Sequence, residues 1–363
     1  MIRVLLVDDS PVAITILKRM LSLSTDISVA GAAENGREAL DLIPKVRPDV
    51  ICTDLHMPVM DGLEFTREVM SSHPLPILLV SISGREDSLS AFKVMEAGAV
   101  DIFPKPTGDS PLDFEKNARE LIMKIRILSG VHVFRRPQPS PESGMGTSGL
   151  TEVGTRFQIP TSRISIIVIG ASTGGPEALR AIFSQMPRDF PLPVVCIQHI
   201  AEGFLGGLVE WLSSQCTAKV RIATPGEPPV SGVIYFPREG MHLRVGGDGR
   251  FIYSAEPPLD GHRPSITITM ESLACYYGNG VLSVLLTGMG RDGAVGMRAI
   301  AQAGGITIAQ DEQSSVVFGM PKHAIELKAA GYVLPLENIA RVIASLANDQ
   351  TEVRNHGRNA FSK

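Results

Sequence analysis

The chain lacks a basic excess, a long apolar run and any cysteine spacing typical of metal or redox motifs. Each absence removes a class of function. Lys plus Arg total 34 against 38 Asp plus Glu, a formal charge of -4. A protein whose main partner is nucleic acid needs a basic field to meet the phosphates, so no nucleic-acid partner is expected. No uninterrupted apolar stretch approaches the roughly 20 residues that span a bilayer, so no membrane insertion is expected. The start, MIRVLLVDDSPVAI, has no charged n-region, apolar h-region and small-residue cleavage site in sequence, and a cytoplasmic location is expected. The four cysteines, Cys52, Cys196, Cys216 and Cys275, form no C-x-x-C pair. Three lie in or beside apolar segments and read as reduced, buried thiols.

What is present is the composition of a folded protein, 44% hydrophobic and 20% charged over 363 residues, enough for about two domains. Short apolar runs at 2–7, 27–33, 49–54, 76–82 and 100–105 alternate with helical spacing at 11–22, 35–46, 62–72, 86–97 and 112–128. This rhythm predicts a five-stranded, doubly wound parallel sheet over 1–128, its strands apolar throughout because both faces are buried. Residues 129–163 contain 18 Pro, Gly, Ser or Thr among 35 and read as a linker. A second, mostly parallel α/β domain is predicted over 164–347. Its strands are expected at 164–170, 193–198, 233–237, 281–288 and 305–310, with a β-hairpin around GGDG within 242–254. Helices are expected at 176–185, 203–214, 264–277, 292–303, 321–329 and 336–347. The polar segment 348–363 reads as a flexible tail.

In the first domain, Asp8 and Asp9 end the first predicted strand, Asp54 the third and Ser81 the fourth, while Lys105 follows the fifth. Ligands of such sheets collect at the carboxyl ends of the strands. Three clustered carboxylates call for a hard divalent cation with oxygen ligands, Mg²⁺. One carboxylate is then placed to take a phosphoryl group whose oxygens a hydroxyl and a lysine hold. Single Asp residues also serve as helix caps, as Asp-Ser-Pro at 9–11 suggests, but five suitable residues at strand ends argue for a site.

The second domain opens on VIGASTGGPEALRAIF (168–183). GASTGG has neither the lysine of a P-loop nor G-x-G-x-x-G spacing, and no acidic residue for a ribose ends the next strand. It does have the G-x-S-x-G form of a nucleophile elbow, with Ser172 at its centre. A serine needs a base, and the base an orienting partner. His199 ends the next strand, and Asp292 lies in the glycine loop TGMGRDGA (287–294). The order Ser, His, Asp differs from that of α/β-hydrolases. Ser172 is therefore assigned as nucleophile, His199 as base and Asp292 as its orienting group, with the N–H groups of Thr173 and Met289 as oxyanion donors. Taken singly, Ser172 and Asp292 also suit helix caps. His262 and Arg263 precede a predicted helix with Pro264 at its first position and are candidates to contact substrate. His242 and His323 read as structural or solvated, and Trp211 as core.

The first half resembles a response-regulator receiver domain, through LLVDDSP, TDLHMPVMDG, VSISG and FPKP. The resemblance implies a flavodoxin-like fold and phosphorylation of Asp54 by a histidine kinase. It further implies Mg²⁺ held by Asp8, Asp9 and Asp54, with Ser81 and Lys105 on the phosphoryl group. The second half resembles the catalytic domain of the chemotaxis protein-glutamate methylesterases, through IGASTGGPEAL, QHI, YFPREGMHL, HRPS, LLTGMGRDGA and AQDEQSSVVFGMP. That resemblance implies a Rossmann-like domain whose triad is Ser172, His199 and Asp292. It also implies hydrolysis of glutamyl methyl esters on the cytoplasmic helices of chemoreceptors, with methanol released, and deamidation of particular receptor glutamines. The unphosphorylated receiver is implied to cover the active site. Two stretches depart from the family pattern, AEGF after QHI and ITIT after HRPS. The other readings are a serine esterase acting on another protein or a small ester, a transcriptional regulator with a DNA-binding output, and a receiver-output protein without catalysis.

Overall fold

The computed structural model describes residues 1–82, 84–106, 111–131, 133 and 163–347. The predicted linker over 129–163 lies almost wholly outside these residues, and the predicted tail over 348–363 lies entirely outside them. The chain divides into two compact units.

The N-terminal sheet runs in the order β2-β1-β3-β4-β5, from β1 (Ile2–Val7), β2 (Ile27–Ala33), β3 (Val50–Thr53), β4 (Ile77–Ser81) and β5 (Asp101–Pro104). Strand β1 pairs in parallel with β2 and β3, and β3 pairs in parallel with β4. The apolar runs of β3 and β4 are buried throughout and that of β1 from Val4 on, with Val4 to Leu6 fully enclosed, whereas β2, at the sheet edge, is buried only at its two ends. Helices α1 (Pro11–Leu21), α2 (Gly36–Val46), α3 (Gly62–Ser72), α4 (Arg85–Ala97) and α5 (Pro111–Leu128) alternate with them. The starts of the first three helices were written locally. The side chains of Ser10, Asn35 and Asp61 accept from the N–H three residues on. The chain enters at β1, which has β2 on one side and β3 on the other. A crevice opens between neighbouring strand ends where the winding reverses.

The C-terminal sheet has seven strands in the order β14-β13-β12-β6-β7-β9-β8, and every pairing in it is parallel. The strands are β6 (Ile166–Ala171), β7 (Val194–Gln198), β8 (Lys219–Ile222), β9 (Val233–Phe236), β12 (Val281–Leu285), β13 (Ile306–Gln310) and β14 (Tyr332–Leu334). The predicted hairpin forms a separate antiparallel pair, β10 (His242–Val245) with β11 (Phe251–Ser254). Helices α6 (Gly175–Phe183), α7 (Leu205–Gln215), α8 (Ile266–Tyr277), α9 (Ala294–Gln302) and α10 (Met320–Glu326) surround the sheet, with a last helix, α11, over 336–347. Ile166, Val168, Val195, Ile197, Val281 and Leu285 of the sheet pack in one core with Ile266, Met270 and Leu273 of α8.

Three sequence expectations are corrected here. Strands β8 and β14 were not expected. They are four and three residues long and lie at the two edges of the sheet; charged residues interrupt β8 (KVRI), and the apolar run of β14 (YVL) is too short to stand out. The helix expected from 264 begins at Ile266, because the Ser265 side chain caps it by accepting from Ile268 N–H. The strand expected over 281–288 stops at Leu285, and residues 286–293 form the loop between it and α9. Among the cysteines, Cys52 and Cys196 are buried, Cys216 is half-buried and Cys275 is exposed, all as free thiols. Burial pushes the Cys52 thiol up to about 12 and that of Cys196 well above its ordinary value.

Candidate active site

Strand β6 lies between β7 and β12, so the turns after these three strands share one rim of the sheet. Ser172 directly follows β6. The parallel register pairs Ala171 with Gln198, and His199 N–H donates to Ala171 O at 2.9 Å. Ser172 and His199 are therefore next neighbours across the rim, with backbones about 5 Å apart, the spacing of adjacent strands. On the other side Ser172 N–H donates to Thr287 O at 3.0 Å. The glycines permit this crowding. A Cβ on Gly288 would sit 2.7 Å from the Ser172 Cβ and 2.3 Å from Met320 Cε. Gly174, at φ +76, ends the turn in a conformation that L side chains rarely adopt.

Asp292 reaches this rim from the β12 loop. Its Oδ2 accepts from His199 Nε2 at 2.9 Å and from Ile266 N–H at 2.8 Å. Its Oδ1 accepts from the Ser265 hydroxyl at 2.9 Å, from Thr267 N–H at 2.9 Å and from Gly293 N–H at 2.8 Å. The carboxylate thus meets the first turn of α8, which has no acidic residue of its own, where unpaired N–H groups and the helix dipole favour negative charge. Burial alone pushes this carboxyl up. The hydrogen bond and charge of His199, with the Thr267 donor, outweigh burial and hold it well below the ordinary carboxylate range. The His199 side chain is 7% exposed. Its Nε2 is committed to Asp292, and its Nδ1 is buried with no hydrogen-bond partner. No hydrogen bond joins the Ser172 hydroxyl to His199 among the described residues.

The expected oxyanion donors are the N–H groups of Thr173 and Met289. None of the hydrogen bonds among the described residues uses the N–H of Thr173 or of Met289. Both follow turn residues already tied to the rim. Gly288 N–H donates to Val317 O at 3.0 Å, and the Thr287 hydroxyl donates to Thr173 O at 2.9 Å.

Several positioning residues escaped the sequence reading. Gln198 is buried and its amide donates at 2.8 Å to the backbone carbonyls of both Ser172 and His199, locking two turns together. Gln310 accepts from Thr287 N–H at 2.7 Å and donates to Ser314 O at 2.7 Å, fixing the glycine loop to the next strand. Ser265 and Thr267 cradle Asp292. One signal was legible. Gln198 and Gln310 are polar residues ending otherwise apolar strands, both buried, and such residues must find partners. Of the other histidines, His242 is buried and structural, bonding Pro257 O and Ser265 N–H. His323 is an exposed residue of α10. Trp211, in α7, is buried as expected.

In the N-terminal sheet, Asp8 and Asp9 follow β1 and Asp54 follows β3, on either side of the winding reversal. Carboxylate oxygens of the three lie within 4.8 Å of one another, Asp8 and Asp54 buried and Asp9 exposed. The backbone steers the two buried ones. Asp54 N–H donates to Val7 O at 2.8 Å, and Ser10 N–H donates to the Asp8 carboxylate at 2.8 Å. An all-oxygen donor set this compact fits a hard divalent cation. Ser81 ends β4 and is buried, and Lys105 follows β5, its N–H donating to Ser81 O at 2.8 Å.

The family model for "CheB methylesterase" matches residues 167–343, and that for "Response regulator receiver domain" matches residues 4–113. The chain is 42% identical over 353 residues to a protein-glutamate methylesterase/protein-glutamine glutaminase of Methanospirillum hungatei, covering 96% of this chain and 99% of that one. It is 40% identical to a protein of the same designation from Syntrophus aciditrophicus, over 96% of this chain and 99% of that one. A solved methylesterase catalytic domain from Thermotoga maritima aligns with 50% of this chain and 98% of its own, at 36% identity and a TM-score of 0.49.

Proposed function

We infer that this chain, which belongs to the CheB methylesterase family and carries a response regulator receiver domain, works as a phosphorylation-regulated protein-glutamate methylesterase and protein-glutamine glutaminase. We propose that Ser172, His199 and Asp292 carry this chemistry. The observation that supports the assignment best is the Asp292 carboxylate, held by four donors of its own chain while bonding His199 Nε2, with Ser172 one strand away. Asp292 keeps the His199 proton on Nε2, which leaves the Nδ1 lone pair as the base.

The Ser172 oxygen attacks the side-chain carbonyl carbon of a methyl glutamate, and its proton passes to His199 Nδ1. The N–H groups of Thr173 and Met289 receive the oxyanion. Collapse breaks the bond to the methoxy group, which leaves as methanol with the proton from His199. Water then attacks the acyl-enzyme and gives a proton to His199. That proton returns to the Ser172 oxygen as glutamate is released. With glutamine the leaving group is ammonia and every other step is unchanged. Asp292 stays ionised throughout and stabilises the imidazolium.

In the receiver, Asp8, Asp9 and Asp54 are the residues that would hold Mg²⁺. Bound there, the ion supplies positive charge to the carboxylates and to phosphoryl oxygens. Asp54 takes the phosphoryl group from a histidine kinase, and Ser81 and Lys105 bind its oxygens. We take the receiver as 1–128, the linker as 129–163, the catalytic domain as 164–347 and the tail as 348–363. The two family matches support this division. The substrate is the methylated cytoplasmic helices of chemoreceptors. No helix among the described residues is long and apolar enough to cross a membrane.

Ser172→Ala tests the assignment. Methanol release from methylated receptor fragments is lost while circular dichroism and melting stay those of the parent. Unchanged turnover refutes the nucleophile.

A further inference from the structure

We propose that His262 is a positioning residue that holds the His199 imidazole in its working orientation, at the tip of a strap formed by residues 257–265. The inference rests on the triad reading above.

The His262 ring lies face to face with that of His199, with centroids 3.8 Å apart and planes 7° from parallel. This contact supplies a restraint that Asp292 cannot. A single in-plane hydrogen bond to Nε2 fixes one edge of the ring and leaves it free to tip about the bond. A flat ring in van der Waals contact with one face stops that tipping, and so keeps Nδ1 directed at the neighbouring strand end, where Ser172 sits.

The strap is built to hold its tip still. Leu259 and His262 exchange backbone hydrogen bonds of 3.1 and 3.0 Å, closing a two-residue turn. Asp260 and Gly261 adopt φ +50 and +84 in it, the left-handed pair that an Asp-Gly turn favours. Both ends of the strap meet one buried histidine on β10. His242 Nε2 donates to Pro257 O at 3.1 Å, and Ser265 N–H donates to His242 Nδ1 at 3.2 Å. The middle is tied to the catalytic loop by the Arg291 guanidinium, which donates to both carboxylate oxygens of Asp260, at 2.8 and 3.3 Å. Ser265 adds its hydroxyl bond to Asp292. The strap therefore contacts the base and its orienting carboxylate together, and the tip histidine offers the base a plane. A plane is enough for this role, so the ring nitrogens of His262 are not required.

The test uses the full-length protein with His262→Ala and His262→Phe, and Ser172→Ala as a control. Two readouts are taken, the rate of labelling by a fluorophosphonate probe and kcat and KM for methanol release. His262→Ala lowers labelling rate and kcat roughly 10- to 100-fold, the size of effect that slight misplacement of a catalytic group brings, with KM little changed. His262→Phe, which stacks but cannot move a proton, restores both to within about threefold of the parent. Parental rates in His262→Ala overturn the proposal. So does a loss confined to KM, which marks a substrate contact, and so does a Phe variant as impaired as the Ala one, which marks a need for the ring nitrogens. Labelling that persists in Ser172→Ala would instead overturn the triad reading.

Discussion

Replacing Asp292 with Asn keeps the shape of the side chain and exchanges one acceptor oxygen for an NH₂ donor. The surroundings dictate where that donor goes. The Oδ1 position receives two backbone N–H groups, from Thr267 and Gly293, and a Ser265 hydroxyl that can rotate. The Oδ2 position receives one backbone N–H, from Ile266, and His199 Nε2. Backbone donors cannot turn away, so the amide oxygen stays with the pair and the NH₂ faces Ile266 and His199. His199 then has to present the Nε2 lone pair and carry its proton on Nδ1, the nitrogen meant to accept from Ser172. A wrong tautomer in such a triad costs roughly 10⁴-fold in kcat.

Stability falls as well. The Ile266 N–H left facing a donor costs about 1–3 kcal/mol. Loss of a charge at the start of α8 costs about 0.3–2 kcal/mol. A total of about 1–5 kcal/mol in denaturant unfolding at neutral pH is expected from these two. The pH dependence has a definite sign. Because the folded carboxyl is held below its ordinary value of 3.8, its contribution is complete above that value and is lost as pH falls through the depressed one. The gap between parent and Asp292→Asn should stay constant from neutral pH down to about 4 and narrow only below it. A variant with kcat within about tenfold of the parent, or with parental stability at neutral pH, refutes this account of Asp292.

Gly288→Ala should lower kcat and destabilise by about 1–3 kcal/mol, since the new methyl meets the Ser172 Cβ and Met320. Thermal melting and methanol release check it, and a neutral result removes the close-approach argument. Asp54→Asn should abolish stimulation of methanol release by a small-molecule phosphodonor in the presence of Mg²⁺. Stimulation that survives moves the switch to another residue.

Much of this site was legible before any coordinates. Parallel strands buried on both faces appear as unbroken apolar runs, so IIVIGA and VVCIQ announced β6 and β7 and put Ser172 and His199 at their ends. Asp-Ser-Pro at 9–11 marked the start of α1 in the same way, and Ser10, Asn35 and Asp61 cap their helices locally, because acceptor and donor lie three residues apart. The edge strands β8 and β14 were not legible. In KVRI only the residue at the second position is buried, and such a segment becomes a strand because the sheet offers it an unpaired edge.

The sequence alone determined which residue types end which strands, because burial and capping act over a few residues. Tertiary structure decided what those residues do to one another. The bond between His199 and Asp292 joins positions 93 apart, and it exists because β6 was laid between β7 and β12. The choice of Nε2 for Asp292, the helix start that keeps that carboxylate charged and the stacking of His262 on His199 all follow from strand order and helix placement. Those are fixed by packing over the whole domain, and no short window of sequence encodes them.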